Sequence, residues 1–133
     1  QINRVLCADK GLYYIVEACS STLRDIVLDG INTKQVTAYY PYQIVANSFV
    51  DDAIINITRK CINLRSLSVM ACETLTNNAF RYIRQLRVLT SLAVSWTNVD
   101  AAEWLSNPNL RLLFVRSCKI DNQGAIHIVN NCP

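Results

Sequence analysis

One spaced pattern recurs along the chain and restricts its fold more than any other feature of the sequence. The pattern is L-x-x-L-x-V-x-x-C or a close variant, and its copies begin at Leu23, Leu64, Leu89 and Leu110. The final position of the four copies holds, in order, Ile31, Cys72, Thr97 and Cys118. The leading leucines lie 25 residues apart between positions 64 and 89, and 21 apart between positions 89 and 110. Similarity at a period of this length indicates a stack of equivalent units.

The stretch after each copy follows a second pattern, in which a helix-capping Asp or Asn precedes apolar residues spaced at three and four. Oxygens of Asp and Asn side chains accept hydrogen bonds from the free N–H groups of a helix's first turn. Spacings of three and four place the apolar side chains on one helix face. The apolar positions are Leu12, Ile15, Cys19; Ile54, Ile57, Cys61; and Ala125, Ile128, Cys132. Phe80 and Ile83 open the same pattern, and Ala101 and Trp104 give a shortened version before Pro108.

These two halves predict an α/β fold in which each unit contributes a short strand, a turn, a capped helix and a return loop. One unit cannot bury its apolar side alone, so the units stack into a solenoid, with parallel strands on the concave face and helices on the convex face. A composition of 51% hydrophobic and 17% charged residues excludes a disordered chain. We expect a single domain over residues 1–133, with about five units and a partial first one. Residues 32–48 fit the template poorly, and their fold stays open.

The last residues reach a recognisable point of the repeat. Cys132 and Pro133 stand where Cys61 and Ile62 stand, just before the point at which an Asn-Leu pair such as Asn63-Leu64 opens the next strand. A stack needs a polar cap where it ends. We therefore expect the domain to be part of a longer solenoid or to be capped by a partner.

Residues 61–77, CINLRSLSVMACETLTN, resemble the cysteine-containing leucine-rich repeat. This repeat is best known from F-box proteins with leucine-rich repeats and from their relatives that lack an F-box. The resemblance implies a non-enzymatic protein–protein interaction module of the substrate-receptor type, as in ubiquitin ligase adaptors. Related repeats also serve as structural subunits of mitochondrial membrane complexes and of axonemes. A structural or assembly subunit of a large multiprotein complex is therefore the alternative. No F-box-like segment is visible in the sequence.

The cysteine pattern favours buried thiols over a metal site. The six cysteines are Cys7, Cys19, Cys61, Cys72, Cys118 and Cys132, and none forms a C-x-x-C pair. A structural zinc site needs four thiolate or imidazole ligands, usually in close pairs, and the chain has one histidine. Five of the cysteines fall at repeated positions, where a thiol packs as a small apolar group. Free buried thiols imply a reducing compartment. We expect an intracellular protein, in the cytoplasm or in a mitochondrial complex.

The sequence carries no pattern typical of an enzyme. Its three glycines are scattered and form no phosphate-binding loop. His127 stands between two isoleucines at a helical position and is interpreted as an ordinary outward-facing side chain, not as the base of a nucleophilic site. Asp51 and Asp52 stand at a helix start, where capping accounts for them. We predict no catalytic residue, no metal, no cofactor and no small-molecule substrate.

A group of basic residues recurs near the middle of the chain. It comprises Arg59, Lys60, Arg65, Arg81, Arg84 and Arg87, the last three at intervals of three. Such a group fits acid-rich protein, lipid headgroups or RNA, although a solvated outer helix face is the favoured interpretation. Few aromatic residues interleave with the arginines, which argues against nucleic acid. No apolar run reaches the roughly 18–20 residues of a membrane helix, so we expect no transmembrane segment.

The alternation of side chains along a strand predicts which residues meet a partner. If Leu67 and Val69 point into the core, their neighbours point out from the concave sheet, and the same holds in the other copies. The predicted partner-binding residues are Asp25, Val27, Asp29, Ser66, Ser68, Met70, Ser91, Ala93, Ser95, Leu112, Phe114 and Arg116. The middle of this set is small and polar, whereas Leu112 and Phe114 are large and apolar. Exposed apolar clusters mark interfaces, so the predicted partner is a protein.

Overall fold

A computed structural model describes residues 2–3, 9–28, 51–100 and 104–132 of the chain. Within these ranges it contains a parallel sheet on one side of an apolar core and helical segments on the other. The expectations made for Cys7, Asp29, Ile31, Ala101 and residues 32–48 lie outside the described residues.

Apart from its first strand, the sheet is built from the L-x-x-L-x-V copies. Its strands are β1 (Ile2–Asn3), β2 (Asp25–Val27), β3 (Ser66–Ser68), β4 (Ser91–Ala93) and β5 (Leu112–Phe114). All neighbours pair in parallel, and the order across the sheet is the order along the chain. The second apolar position of each copy pairs with its equivalent in the next copy, as Leu67 does with Leu92. The expectation of an α/β fold with parallel strands is confirmed at the level of the α/β class.

Three α-helices lie among the described residues: α1 (Asp9–Cys19), α2 (Asp51–Lys60) and α3 (Asn122–Asn131). Helix α2 buries Ile54 and Ile57 completely, as the three-residue spacing predicts. Its acidic first turn and its basic last turn both stabilise the helix dipole. None of the described helices combines the length and the apolar character needed to cross a bilayer.

The segment between β3 and β4 differs from the expected α-helix. It forms two short 3₁₀ helices, Asn77–Phe80 and Ile83–Gln85. The large buried side chains here are Phe80, Ile83, Leu86 and Leu89, which are spaced at three, and Ala79 is buried beside them. A 3₁₀ helix has three residues per turn and keeps such a row on one face, whereas an α-helix with 3.6 would rotate it away from the core. The expectation that Phe80 and Ile83 open an α-helix is therefore wrong.

A left-handed residue follows strands β3, β4 and β5 at the same distance. Ala71, Trp96 and Ser117 have φ values of 60°, 58° and 57°, and each lies three residues beyond its strand. This turn directs the next side chain back toward the sheet. Two of those side chains are the thiols of Cys72 and Cys118.

Each of these thiols donates to a carbonyl of the preceding strand region. Cys72 Sγ lies 3.1 Å from the carbonyl oxygen of Leu28, and Cys118 Sγ lies 3.2 Å from that of Val94. In the copy with threonine, Thr97 Oγ1 donates to the carbonyl of Val94 over 2.7 Å. In these three copies the final position therefore holds a small side chain that donates a hydrogen bond to a backbone carbonyl, whereas the first copy has Ile31 there. This explains why cysteine and threonine exchange there.

The last helix packs less tightly than its sequence pattern predicts. Asp121 accepts a hydrogen bond from the Gly124 N–H over 2.8 Å and caps α3 as expected. Ile128 and Cys132 are only partly buried against the core, and Ala125 is exposed. The expected core position of Ala125 is wrong, because no described element packs across this side of α3.

Candidate functional site

The sheet register aligns the predicted partner-binding residues into rows. One row runs through Asp25, Ser66, Ser91 and Leu112, and a second through Val27, Ser68, Ala93 and Phe114. Neighbouring strands lie about 4.8 Å apart, so each row extends over roughly 15 Å. These two rows, together with Met70, Ser95 and Arg116 beyond the strand ends, are called here the outer sheet face.

The centre of the outer sheet face is flat and closed. Ala93 and Ser95 were expected to be exposed, but they are 8% and 2% exposed, so that expectation is wrong. Ser95 Oγ accepts a hydrogen bond from the Arg116 N–H over 3.0 Å, which draws the side chain onto the neighbouring copy. The alanine is covered because it is short and stands between larger neighbours on adjacent strands. A partner would touch this region through backbone and small side chains.

The β5 end of the outer sheet face is apolar and open. Leu112 is 56% exposed and Phe114 is 51% exposed, although both are large hydrophobic residues. They lie two positions apart on one strand, so they project on the same side about 7 Å from each other. Exposed apolar side chains that adjoin one another mark binding surfaces. This pair is the strongest site feature that the sequence alone identified.

Sequence reasoning missed Trp96, which extends the apolar end. Its indole is 46% exposed, and the guanidinium carbon of Arg116 lies 5.8 Å from its ring centre. The residue occupies the left-handed turn after β4, outside the strand alternation used for the prediction. The signal that could have found it is a bulky aromatic residue at the position taken by Ala71 and Ser117 in the neighbouring copies. Leu112, Phe114, Trp96 and Arg116 are called here the apolar end.

The inward positions of β5 are less covered than their equivalents in inner strands. Leu67 and Leu92 are fully buried, whereas Leu113, at the same position, is only partly buried. Val115 repeats this difference relative to Val94. Among the described residues β5 is the last strand of the sheet, so its outer edge has no neighbour there. The surface next to the apolar end therefore offers both unpaired strand edge and uncovered core.

The described cysteines pack in or against the core, and the thiol of Cys61 has a raised pKa. Cys19, Cys61, Cys72, Cys118 and Cys132 form no disulfide among the described residues. Burial, with a smaller contribution from the nearby Cys19, raises the pKa of the Cys61 thiol from its ordinary 9.0 to about 11. A thiol held protonated at neutral pH is a poor nucleophile and a poor metal ligand. No cluster of three or more potential metal ligands occurs in the part of the chain that the structure describes.

The remaining titratable candidates have structural partners. Asp51 lies in the first turn of α2 and accepts hydrogen bonds from the N–H and hydroxyl of Thr76, so it joins two copies rather than capping its own helix. His127 is half-buried, not outward-facing as expected, and its carbonyl accepts from Asn131 Nδ2 over 2.8 Å. Its ring Nε2 is buried without a hydrogen-bond partner among the described residues.

Comparison with known proteins adds no family assignment, since no protein-family model and no curated protein sequence matches the chain. The arguments for function therefore rest on the sequence pattern and on the geometry of the outer sheet face and the apolar end.

Proposed function

We propose that this chain is part of a leucine-rich-repeat solenoid of the cysteine-containing type and serves as a non-enzymatic protein-binding module. The observation that carries the proposal is the apolar end. Its exposed Leu112, Phe114 and Trp96 stand beside Arg116 at the margin of a small, polar sheet face. Interfaces combine such aromatic and aliphatic anchors with an arginine and a polar surround.

The hydrogen bonds between copies support the repeat architecture. Several side chains donate to the backbone one period earlier, including Thr90 Oγ1 to the Arg65 carbonyl and Asn107 Nδ2 to that of Leu86. These pairs are separated by 25 and 21 residues, which are the spacings of the leading leucines. Stacked equivalent units make such contacts repeatedly between neighbours. The left-handed residue that recurs after β3, β4 and β5 is consistent with the same architecture.

The module is proposed to act as a substrate receptor, in the manner that its resemblance to ubiquitin ligase adaptors suggests. The small apolar pair of Leu112 and Phe114 on an otherwise polar face suits a partner that binds reversibly. The five described cysteines form no disulfide with one another, which is consistent with an intracellular, reducing compartment. The second candidate function, a permanent structural subunit of a large complex, is favoured by the incomplete burial of Leu113 and Val115. A stable assembly would cover these residues for its whole lifetime.

The test compares two double variants in which the replaced apolar side chains are all more than half exposed. Leu112→Ser/Phe114→Ser removes the anchors, whereas Ile126→Ser/Val129→Ser removes two apolar side chains of α3 that are 54% and 72% exposed. The tagged protein and both variants are isolated from native cells, and co-purifying proteins are quantified by mass spectrometry. Each anchor that a partner buries contributes roughly 1.5–3 kcal/mol, so the first variant should lose its partner at least about tenfold.

The control variant should retain that partner. Equal retention by both variants would show that the apolar end is not the binding surface. Salt distinguishes the two functions: a receptor exchanges its partner within the preparation, whereas a structural subunit stays stoichiometric in concentrated salt.

A further inference from the structure

Arginine recurs at the position directly before the strands of the sheet. Arg24, Arg65 and Arg111 precede β2, β3 and β5, and Thr90 holds this position before β4. Backbone hydrogen bonds join the four residues in order, from Arg65 N–H to the Arg24 carbonyl over 2.7 Å, from Thr90 to Arg65 over 2.9 Å, and from Arg111 to Thr90 over 2.9 Å. All three arginines are exposed. The margin of the outer sheet face where these strands begin is therefore positively charged.

The two arginines nearest the apolar pair have no carboxylate partner among the described residues. Arg111 stands directly before β5 and Arg116 two residues after it, and both are exposed. The ion pair found in the described ranges joins Lys60 to Glu17 instead. The guanidinium of Arg116 contacts the uncharged ring of Trp96. Both cations can therefore bind an anion from another molecule.

These cations stand on either side of the apolar pair. Leu112 and Phe114 lie between Arg111 and Arg116 along a single strand, and alternation places Arg116 on the same side as Phe114, about 7 Å further on. The described carboxylate of the outer sheet face belongs to Asp25, three strands away from Leu112, or roughly 15 Å along the row. The apolar pair is therefore bracketed by positive charge.

We propose that the apolar end binds a protein segment in which two apolar side chains stand between carboxylates. The apolar side chains cover Leu112 and Phe114, and the carboxylates bind Arg111 and Arg116. A guanidinium donates two parallel hydrogen bonds to a carboxylate, so each pair orients the segment as well as attracting it. The same charges disfavour a segment with basic flanks. The inference rests on the proposed function, because it gives a chemical class to the partner of that same surface.

The composition of the surface favours protein over nucleic acid and lipid. Proteins that bind single strands stack bases on open aromatic faces, whereas Leu112 is aliphatic and the Trp96 ring already contacts Arg116. The rows beside the apolar pair carry the hydroxyls of Ser66 and Ser91. Hydrocarbon cannot satisfy these hydroxyls, and their burial under it would cost free energy. A protein segment brings its own donors and acceptors to such a polar surround.

The first test titrates the whole 133-residue chain with three peptides, followed by nuclear magnetic resonance shifts. Each peptide carries Leu-Ser-Phe between pairs of glutamate, serine or lysine. We expect the glutamate peptide to bind about fivefold more tightly than the serine peptide, the lysine peptide to bind most weakly, and added salt to reduce these differences. Equal binding of the three peptides would overturn the proposal.

Two variants separate the bracketing charges from net charge. Arg111→Ser/Arg116→Ser should abolish the preference for glutamate, whereas Arg84→Ser/Arg87→Ser lowers the net charge equally and should keep it. Equal losses in both would overturn the proposal. Arg111→Glu/Arg116→Glu should reverse the preference toward the lysine peptide, a gain that an unfolded variant cannot produce. No reversal in a folded variant would likewise count against the bracket.

The isolation from native cells distinguishes this inference from the proposed function. The partner lost by Leu112→Ser/Phe114→Ser should also be lost by Arg111→Ser/Arg116→Ser. Retention by the arginine variant alone would overturn the acidic bracket and leave the proposed function standing, whereas retention by both variants would overturn the proposed function itself. Tighter binding of a uridine oligonucleotide or of phosphatidylserine vesicles than of the glutamate peptide, dependent on Arg111 and Arg116, would overturn the assignment to protein.

Discussion

Two leucines at the same strand position should contribute unequally to stability. Leu92 in β4 is fully buried between neighbouring copies, whereas Leu113 in β5 is only partly buried. Replacing a fully buried leucine by alanine costs about 2–5 kcal/mol, from lost transfer free energy and from the cavity that remains. At β5 part of the side chain already contacts solvent and no closed cavity forms, so we expect about 1–2 kcal/mol there. The predicted difference is at least about 1 kcal/mol.

The free energies of unfolding of Leu92→Ala and Leu113→Ala are compared with that of the wild type by urea denaturation, followed by circular dichroism under reducing conditions. The chemistry of the two substitutions is identical, so their difference reports burial alone. The protein is studied at low concentration, because an apolar end that self-associates would cover Leu113. Equal loss of stability in the dilute protein would refute the reasoning, since it would mean that β5 is covered as fully as β4.

Three further outcomes follow from the cysteines. Titration of thiols in denaturant without reductant should find six free groups, and two or none would contradict an intracellular protein. The pKa of Cys61 is raised to about 11 in the folded protein, so the unfolded chain loses this proton at a lower pH. The free energy of unfolding is therefore fully present below pH 9 and falls by about 1–3 kcal/mol toward pH 11. Cys61→Ala should remove this contribution to the decrease in stability with pH. Cys72→Ser should lower the urea midpoint more than Arg84→Ala, because the buried serine hydroxyl must reach the Leu28 carbonyl from a shorter side chain. Equal midpoints would contradict the assigned register.

The strand register was predictable because it depends on a short local pattern. Each L-x-x-L-x-V copy directs two apolar side chains inward, and a shift by one residue would expose them both. The pairing of Leu67 with Leu92, and of Leu92 with Leu113, follows from that constraint. The predicted partner-binding rows follow as well, since they are the residues between the buried ones.

Two failures of the sequence reasoning have different causes, one in the spacing of apolar residues and one in a contact between copies. The segment at Phe80 and Ile83 has spacings compatible with an α-helix, and only the further triplets at Leu86 and Leu89 favour a 3₁₀ helix. The burial of Ser95 depends on a hydrogen bond to the backbone of the next copy, which no pattern within one copy reveals. Strand alternation assigns a direction to a side chain but does not state how closely its neighbours approach.

Trp96 offers a way to separate function from stability. It adopts φ of 58°, a region that costs a bulky residue roughly 1 kcal/mol and that asparagine tolerates better. Its exposed contact with Arg116 returns only about 0.5–1 kcal/mol. Trp96→Asn should therefore change the free energy of unfolding by less than about 1 kcal/mol. We expect the indole to contact the partner, so the same substitution should weaken partner binding several-fold, as is expected of Leu112→Ser/Phe114→Ser. A variant that is clearly less stable and yet binds normally would show that Trp96 serves the fold, and the apolar end would lose its aromatic anchor.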